Sequence, residues 1–226
     1  MNAHDYSVAT ITTLDSKNSS TIANEIGVNQ STVSRFLNKT SAEEINIVPL
    51  IESTFGKKSL TMVIDEVTID KRYAENMEGT SIMLDPSTKT FTNGYKVVVI
   101  GITDGEFFIP INSEQWIAEW IMQGGYKKIV DIAKYLILKL LNLGLNIKNT
   151  VMDGLYSTIE FVNWLHEQKI NFVIKTKTTT SVYYKGEKVQ LQHCKALRLN
   201  SNQSAKTIKA EWHGKIWYFS AIRRLG

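Results

Sequence analysis

Two short apolar runs in this sequence each lead into an aspartate. Leu60-Thr-Met-Val-Ile-Asp65 is rich in β-branched residues, and Lys148 to Met152 passes straight into Asp153-Gly154. Runs of this kind read as buried strands. A carboxylate at the end of a buried strand is costly unless it binds a cation or caps something. Two such ends on neighbouring strands can bridge a pair of Mg²⁺ ions roughly 3.5–4 Å apart, and hard oxygen ligands suit Mg²⁺. The alternative is that Asp153 caps the helix after it and Asp65 opens a loop. Glu66 is a poor partner for Asp65, since adjacent strand residues point to opposite faces.

Around these runs the pattern alternates. Tyr95 to Thr103 reads as a second buried strand, ended by the turn signal Asp104-Gly105, and Glu106 to Ile111 as a third. Tyr73 to Asn93 is polar and irregular. Lys127 to Leu143 is a strongly apolar helix stopped by Gly144, Lys148 to Met152 a fourth strand, Thr158 to Gln168 a helix and Asn171 to Thr176 a fifth strand. Short β-like pieces follow: Ser181–Tyr184, Lys188–Leu191, Ala196–Leu199, Thr207–Trp212 and Lys215–Ile222. Three meandering strands followed by helix–strand alternation predict a mixed sheet with helices packed on it.

Before Leu60 the chain is helical. Asn18-Ser19-Ser20 offers N-caps for a helix over Thr21 to Ile26, Gly27-Val28-Asn29 is a turn, Gln30 to Asn38 is a second helix, and Ser41 to Phe55 a third. Ala23 is small where two helices would cross, Gly27 can take the left-handed turn conformation at no steric cost, and Val33 and Phe36 face back toward Ile22 and Ile26. That spacing is the helix-turn-helix pattern. The second helix then exposes Gln30, Ser31, Ser34, Arg35 and Asn38, types that hydrogen-bond base edges and phosphates; the plainer reading is a helical hairpin with polar outer residues.

Charge is unevenly spread. The chain of 226 residues has a net charge of +4, but residues 171–226 hold eleven Lys and Arg against two Asp and Glu. So dense a basic segment can neutralise phosphates; lysines solvating exposed strands are the alternative. One cysteine excludes an intrachain disulfide framework. No stretch reaches the ~18 consecutive apolar residues of a membrane span. Met1 to Thr10 lacks a basic region followed by an apolar one. The expectation is a cytoplasmic, nucleoid-associated protein without membrane contact. His4, His166, His193 and His213 are scattered, and Cys194 beside His193 supplies only two ligands. Trp212, Trp217, Tyr218 and Phe219 could stack on unpaired bases or fill a β core; Trp116, Trp120 and Trp164 read as core.

At the aspartates the sequence resembles a known family. Thr150-Val-Met-Asp-Gly-Leu-Tyr-Ser-Thr-Ile-Glu-Phe-Val-Asn-Trp-Leu, with Asn171-Phe-Val-Ile-Lys-Thr-Lys, resembles the second-aspartate block of DDE transposases from bacterial insertion sequences. Leu60-Thr-Met-Val-Ile-Asp-Glu-Val-Thr-Ile-Asp-Lys resembles the first-aspartate block, and Gly94-Tyr-Lys-Val-Val-Val-Ile-Gly-Ile-Thr-Asp-Gly-Glu and Phe108-Ile-Pro-Ile the intervening strands. The resemblance implies an α/β fold: a helix-turn-helix over residues 1–56, an RNase H-like mixed sheet flanked by helices over 57–178, and the start of a basic β-rich insertion over 179–226. It implies that Asp65 and Asp153 are the first two catalytic acids and Mg²⁺ ligands, with double-stranded DNA, as element ends and target, the partner, and it is compatible with a homodimer. The family's third acid sits on a late helix that these residues do not contain; Glu211 lies in a strand-like segment and does not take the role. The expectation is therefore a DNA transposase lacking its third acid, an incomplete fragment. The rival expectations are a non-catalytic helix-turn-helix DNA-binding protein and a metal-dependent nuclease of the same fold.

Overall fold

The computed structural model describes the chain apart from residues 2–4, 7–8, 11–12, 14–17, 40–46, 74–76, 86–87, 122–125 and 224–226. It is a mixed α/β protein with five α-helices and two sheets among the described residues, divided into two compact units, 1–56 and 57–226. No helix among these residues is long and apolar enough to cross a membrane.

In the first unit, α1 (Ser19–Ile26) begins at Asn18, whose side chain accepts from the Thr21 N–H at 2.9 Å. It ends at Gly27, left-handed at φ 74°. Gly27 N–H then reaches the Asn24 carbonyl, and Val28 N–H reaches that of Ala23, which closes the helix end. Asn29 starts α2 (Gln30–Lys39) by accepting from the Ser31 N–H at 2.9 Å. Ala9, Ile22, Ala23 and Val33 form the buried core, with Ile26 and Val28 packed against it. Phe36 is only half-buried; its ring stands 5.7 Å from that of Tyr6. The expected third helix is seen as α3 (Val48–Phe55), opened by Pro49; residues 41–46 of that expectation lie outside the described part.

The second unit is built on a six-stranded sheet. β1 (Leu60–Asp70) lies between β3 (Thr90–Thr103), antiparallel to it, and β5 (Ile147–Met152), parallel to it. β4 (Phe108–Trp116) flanks β3 antiparallel, through the Asp104-Gly105 turn, and β6 (Phe172–Ile174) flanks β5 parallel. β2 (Ser81–Asp85) pairs with the start of β3, within the stretch expected to be irregular. Its Ser81, Met83 and Asp85 turn inward while Ile82 and Leu84 stay exposed, too short an alternation to stand out from its polar surroundings. Where β1 and β2 flank β3, no side chain fits: a Cβ on Gly94 would sit 2.2 Å from the Ile69 carbonyl.

One sheet face is largely apolar. Met62, Ile64, Val98, Ile100 and Ile102 are buried on it, together with Thr150 and Met152. α4 (Ile129–Leu141) supplies Ile132, Ala133, Leu136, Ile137 and Leu140, one stripe at helical spacing. α5 (Ile159–Glu167) supplies Phe161, Val162 and Leu165 and is capped by the Thr158 hydroxyl. Lys134 ties the two helices by reaching Glu160 at 3.2 Å. Trp120, expected in the core, is 75% exposed.

The basic C-terminal stretch is an antiparallel sheet in the order β10-β9-β7-β8: β7 (Ser181–Tyr184), β8 (Glu187–Gln190), β9 (Ala205–Trp212) and β10 (Lys215–Ile222). Val182, Cys194, Ile208, Ala210 and Phe219 form its core, so Phe219 and the flanking Trp212 and Trp217 are packing residues. Tyr218 stays outside, 73% exposed. The expected strand at Ala196–Leu199 is instead a 3₁₀ turn over Lys195–Leu197.

Candidate functional site

Parallel register sets Ile64 beside Met152, so Asp65 and Asp153 come next on adjacent strands. Asp65 does not end its strand, however. β1 runs on to Asp70, because the long β3 continues to pair with it through Val67, Thr68 and Ile69. What stops at Asp65 is the pairing with β5. Beyond that point one edge of β1 is open, and the first residue there is Glu66.

Asp153 has extended backbone, and its Oδ1 accepts from the Leu155 N–H at 2.7 Å, capping the 3₁₀ turn Gly154–Tyr156. The α-helix that Asp153 was expected to cap is capped by Thr158 instead, and among the described residues the second Asp153 carboxylate oxygen has no hydrogen-bond partner. Asp65 is exposed, and its Oδ1 accepts from the Glu66 N–H at 2.9 Å. Glu66 shares its face of β1 with Ile64 and Met62. It is half-buried, and its Oε2 is buried with no hydrogen-bond partner among the described residues. Burial, then the repulsion of Asp153, then that of Asp65, push the Glu66 carboxyl above the usual carboxylate range; Lys96 opposes the shift. Tyr156 is wholly buried, and its hydroxyl likewise has no hydrogen-bond partner among the described residues. Burial first, then Glu66, Asp153 and Asp65, raise its phenol strongly.

Glu66 and Asp153 line one cavity of about 360 Å³, with Gly154, Leu155, Ser157, Thr158, Lys177 and Thr180. Asp65 is not on its wall. Sequence reasoning correctly set Glu66 and Asp65 on opposite faces; it did not see that the face shared with the cavity is that of Glu66. The parity of β1 held the signal, because the buried residues Leu60, Met62 and Ile64 point Glu66 inward. Among the described residues, no group of three or more His, Cys, Asp or Glu stands within metal-holding reach. Glu66 and Asp153 supply two carboxylates to one cavity, hard oxygen donors of the type that Mg²⁺ takes.

A larger cavity, about 780 Å³, runs between β5 and β6 on one side and β9 and β10 on the other. Its walls are largely apolar, with Trp212, Trp217 and Phe219 among them, and Lys175 and Arg198 are its charged residues. It offers no acid.

In the first unit, Gln30, Ser31, Arg35 and Asn38 are exposed on α2 and Ser34 is half-buried. Arg35 Nε donates to the Ser31 carbonyl at 3.2 Å, which lays the guanidinium along the helix. On the C-terminal sheet, Lys185, Lys188, Lys195, Arg198 and Lys209 are exposed.

No model of a known protein family matches this chain, and no curated protein matches its sequence.

Proposed function

We propose that the chain is a DNA transposase of the insertion-sequence type, with an RNase H-like core preceded by a helix-turn-helix. The observation that carries this reading is the order β4-β3-β1-β5-β6, with β1 antiparallel to β3 and parallel to β5 and β5 parallel to β6, and an acid at the point where β1 and β5 part. The helical hairpin with its left-handed Gly27 and exposed polar row supports a DNA-binding first unit. The exposed lysines of the C-terminal sheet support phosphate binding.

In this reading Asp153 and Glu66 hold a divalent ion, Mg²⁺ for preference, with Asp65 adding negative charge from the opposite face. Such an ion, when bound, would supply Lewis-acid activation for attack on a phosphodiester. The chain's own part is to hold the acids. The cap on Leu155 N–H fixes the Asp153 carboxylate, and the paired β1–β3 ladder fixes Glu66.

The test is Mn²⁺ titration of the full chain beside duplex DNA binding. One Mn²⁺ bound per chain, lost in Asp153→Asn, together with DNA binding is the expected result. DNA binding without any divalent site would favour the second reading, a non-catalytic DNA-binding protein, which the helical hairpin alone would satisfy. Failure to bind either would overturn both.

A further inference from the structure

The larger cavity, about 780 Å³, is lined by two unbroken runs, residues 172–176 and residues 217–222. Successive strand residues point to opposite faces, so a space that touches all of them follows the edges of the strands. Both strands are the last of their sheets: β6 closes the order β2-β3-β1-β5-β6, and β10 opens the order β10-β9-β7-β8. The Asn171 carbonyl accepts from the Thr150 N–H at 2.9 Å, and the Lys175 N–H donates to the Met152 carbonyl at 3.2 Å. The odd residues of β6 therefore face β5, and the backbone of Phe172 and Ile174 faces away from it. On β10 the Arg223 N–H donates to the Ser204 carbonyl at 2.8 Å, which turns the backbone of Tyr218, Ser220 and Ile222 away from β9. Among the described residues no strand pairs with either row; the Ile174 carbonyl accepts only from the Thr176 hydroxyl, at 3.4 Å.

The side chains of the groove are sorted as well. Phe172 meets Trp217, ring centroids 5.8 Å apart. Val173 and Lys175 lie on the opposite face of β6. Lys175 and Arg198, the charged residues of the groove, are exposed, and among the described residues neither makes an ion pair. The geometry points to strand addition: the groove seats an extended, acidic segment of a partner protein. Its backbone pairs with the open edge of β10, its apolar side chains turn toward Phe172 and Trp217, and the carboxylates between them turn toward Lys175 and Arg198. β10 is the pairing edge because it is eight residues long and β6 only three. Two cations and no acid make the partner acidic, and alternate apolar pockets make it a strand. This site needs neither metal nor DNA and does not depend on the transposase reading.

The probe is a fluorescein-labelled, C-terminally amidated (Val-Glu)₃ peptide, titrated into the full chain and followed by anisotropy and by amide hydrogen exchange. Wild type should bind it saturably, and the amides of Tyr218, Ser220 and Ile222 should exchange about tenfold or more slowly in the complex. Those of Trp217, Phe219 and Ala221, already paired to β9, should change less. Ser220→Pro removes an outward N–H without touching the β9 ladder and should weaken binding about tenfold or more; Ser220→Ala, which keeps that N–H, should bind as wild type. The double substitution Lys175→Glu with Arg198→Glu should weaken (Val-Glu)₃ and strengthen (Val-Lys)₃. No saturable binding by wild type overturns the proposal, as does binding that leaves the three outward amides unprotected. Equal affinity for (Val-Lys)₃ would remove the acidic partner. Displacement of the peptide by single-stranded oligo-dT would give the groove to nucleic acid, and a dimer that forms with rising concentration and excludes the peptide would give it to a second copy; either result overturns the proposal.

Discussion

Glu66 and Asp153 face one cavity from two adjacent parallel strands, while Asp65, next to Glu66 in the chain, projects from the other face of β1. The consequence is a ranking of acids. Glu66→Gln and Asp153→Asn should each lower Mn²⁺ affinity about tenfold or more, since each removes half of a carboxylate pair. Asp65→Asn should lower it less than about threefold, through the loss of a nearby charge. Calorimetric titration of the three variants separates them; an effect of Asp65→Asn as large as that of Glu66→Gln would place the ion on the opposite face.

DNA recognition by the first unit can be tested independently of the acids. Arg35 is exposed and bonds to its own helix backbone, so Arg35→Ala removes no packing. Anisotropy with a duplex carrying the element's terminal sequence should show binding weakened about tenfold, with the unfolding midpoint unmoved. A changed midpoint with unchanged binding would make the residue structural.

Sequence-independent binding should come from the C-terminal sheet. Lys185, Lys188 and Lys209 are exposed there. Replacing all three by Gln keeps the sheet's core of Val182, Ile208 and Phe219 intact. Each phosphate that is no longer neutralised should reduce the slope of log affinity against log salt by about 0.9. A slope that survives the triple substitution would move the phosphate-binding surface elsewhere on the molecule.

A pH effect is expected where β1 ends. Asp70 accepts from the Arg72 backbone at 2.9 Å and its guanidinium Nε at 2.6 Å, and also from the Thr92 hydroxyl. Arg72 first, then Thr92, hold its carboxyl down to about 2. An unfolded aspartate titrates near ~3.9. The contribution is therefore complete above that value and is lost as pH falls through about 2. Urea unfolding of wild type and Asp70→Asn should differ above pH ~4 and converge toward pH ~2. Taking the difference cancels the opposite trend of Glu66, whose raised carboxyl favours the folded state at low pH. Curves that stay equally far apart down to the lowest pH would show that Asp70 acts through shape rather than charge.

What could be read from the sequence follows from where the burial lies. The β5 run and the α4 stripe are found within about two residues of their expected bounds, whereas the β1 and β3 runs lie inside strands that extend further, β1 to Asp70 and β3 back to Thr90. Gly27, with Ala23 and Val33, was legible for the same reason: a left-handed turn and two buried side chains leave little freedom. β2 and the exposure of Trp120 were not legible, because both depend on which neighbours arrive from elsewhere in the chain. The site was half legible. Asp153 follows a strand and could be found by that alone. Glu66 needed the parity of β1 and the stopping point of β5, and the second of these is a tertiary fact.

Catalysis is where the carboxylate pair falls short. Two carboxylates share the cavity, and among the described residues no third joins them within metal-holding reach. One ion on two ligands leaves a second ion without a seat, and in-line transfer on two metals needs a cation near both the attacking and the leaving oxygen. Members of a cooperating set act as a unit, so a missing member costs most of the rate. The 226-residue chain should therefore bind metal and DNA yet cut duplex at or near background with Mg²⁺ or Mn²⁺. Asp65→Asn, Glu66→Gln and Asp153→Asn should alter metal binding without altering that background. The decisive measurement is strand cleavage by this chain with and without a third carboxylate supplied on a helix appended after residue 226. Cleavage that appears only with the helix, and vanishes again in Asp153→Asn, fits an incomplete set. Robust Asp153-dependent cutting by the chain alone would mean that Asp65 or an acid from a second copy completes the site.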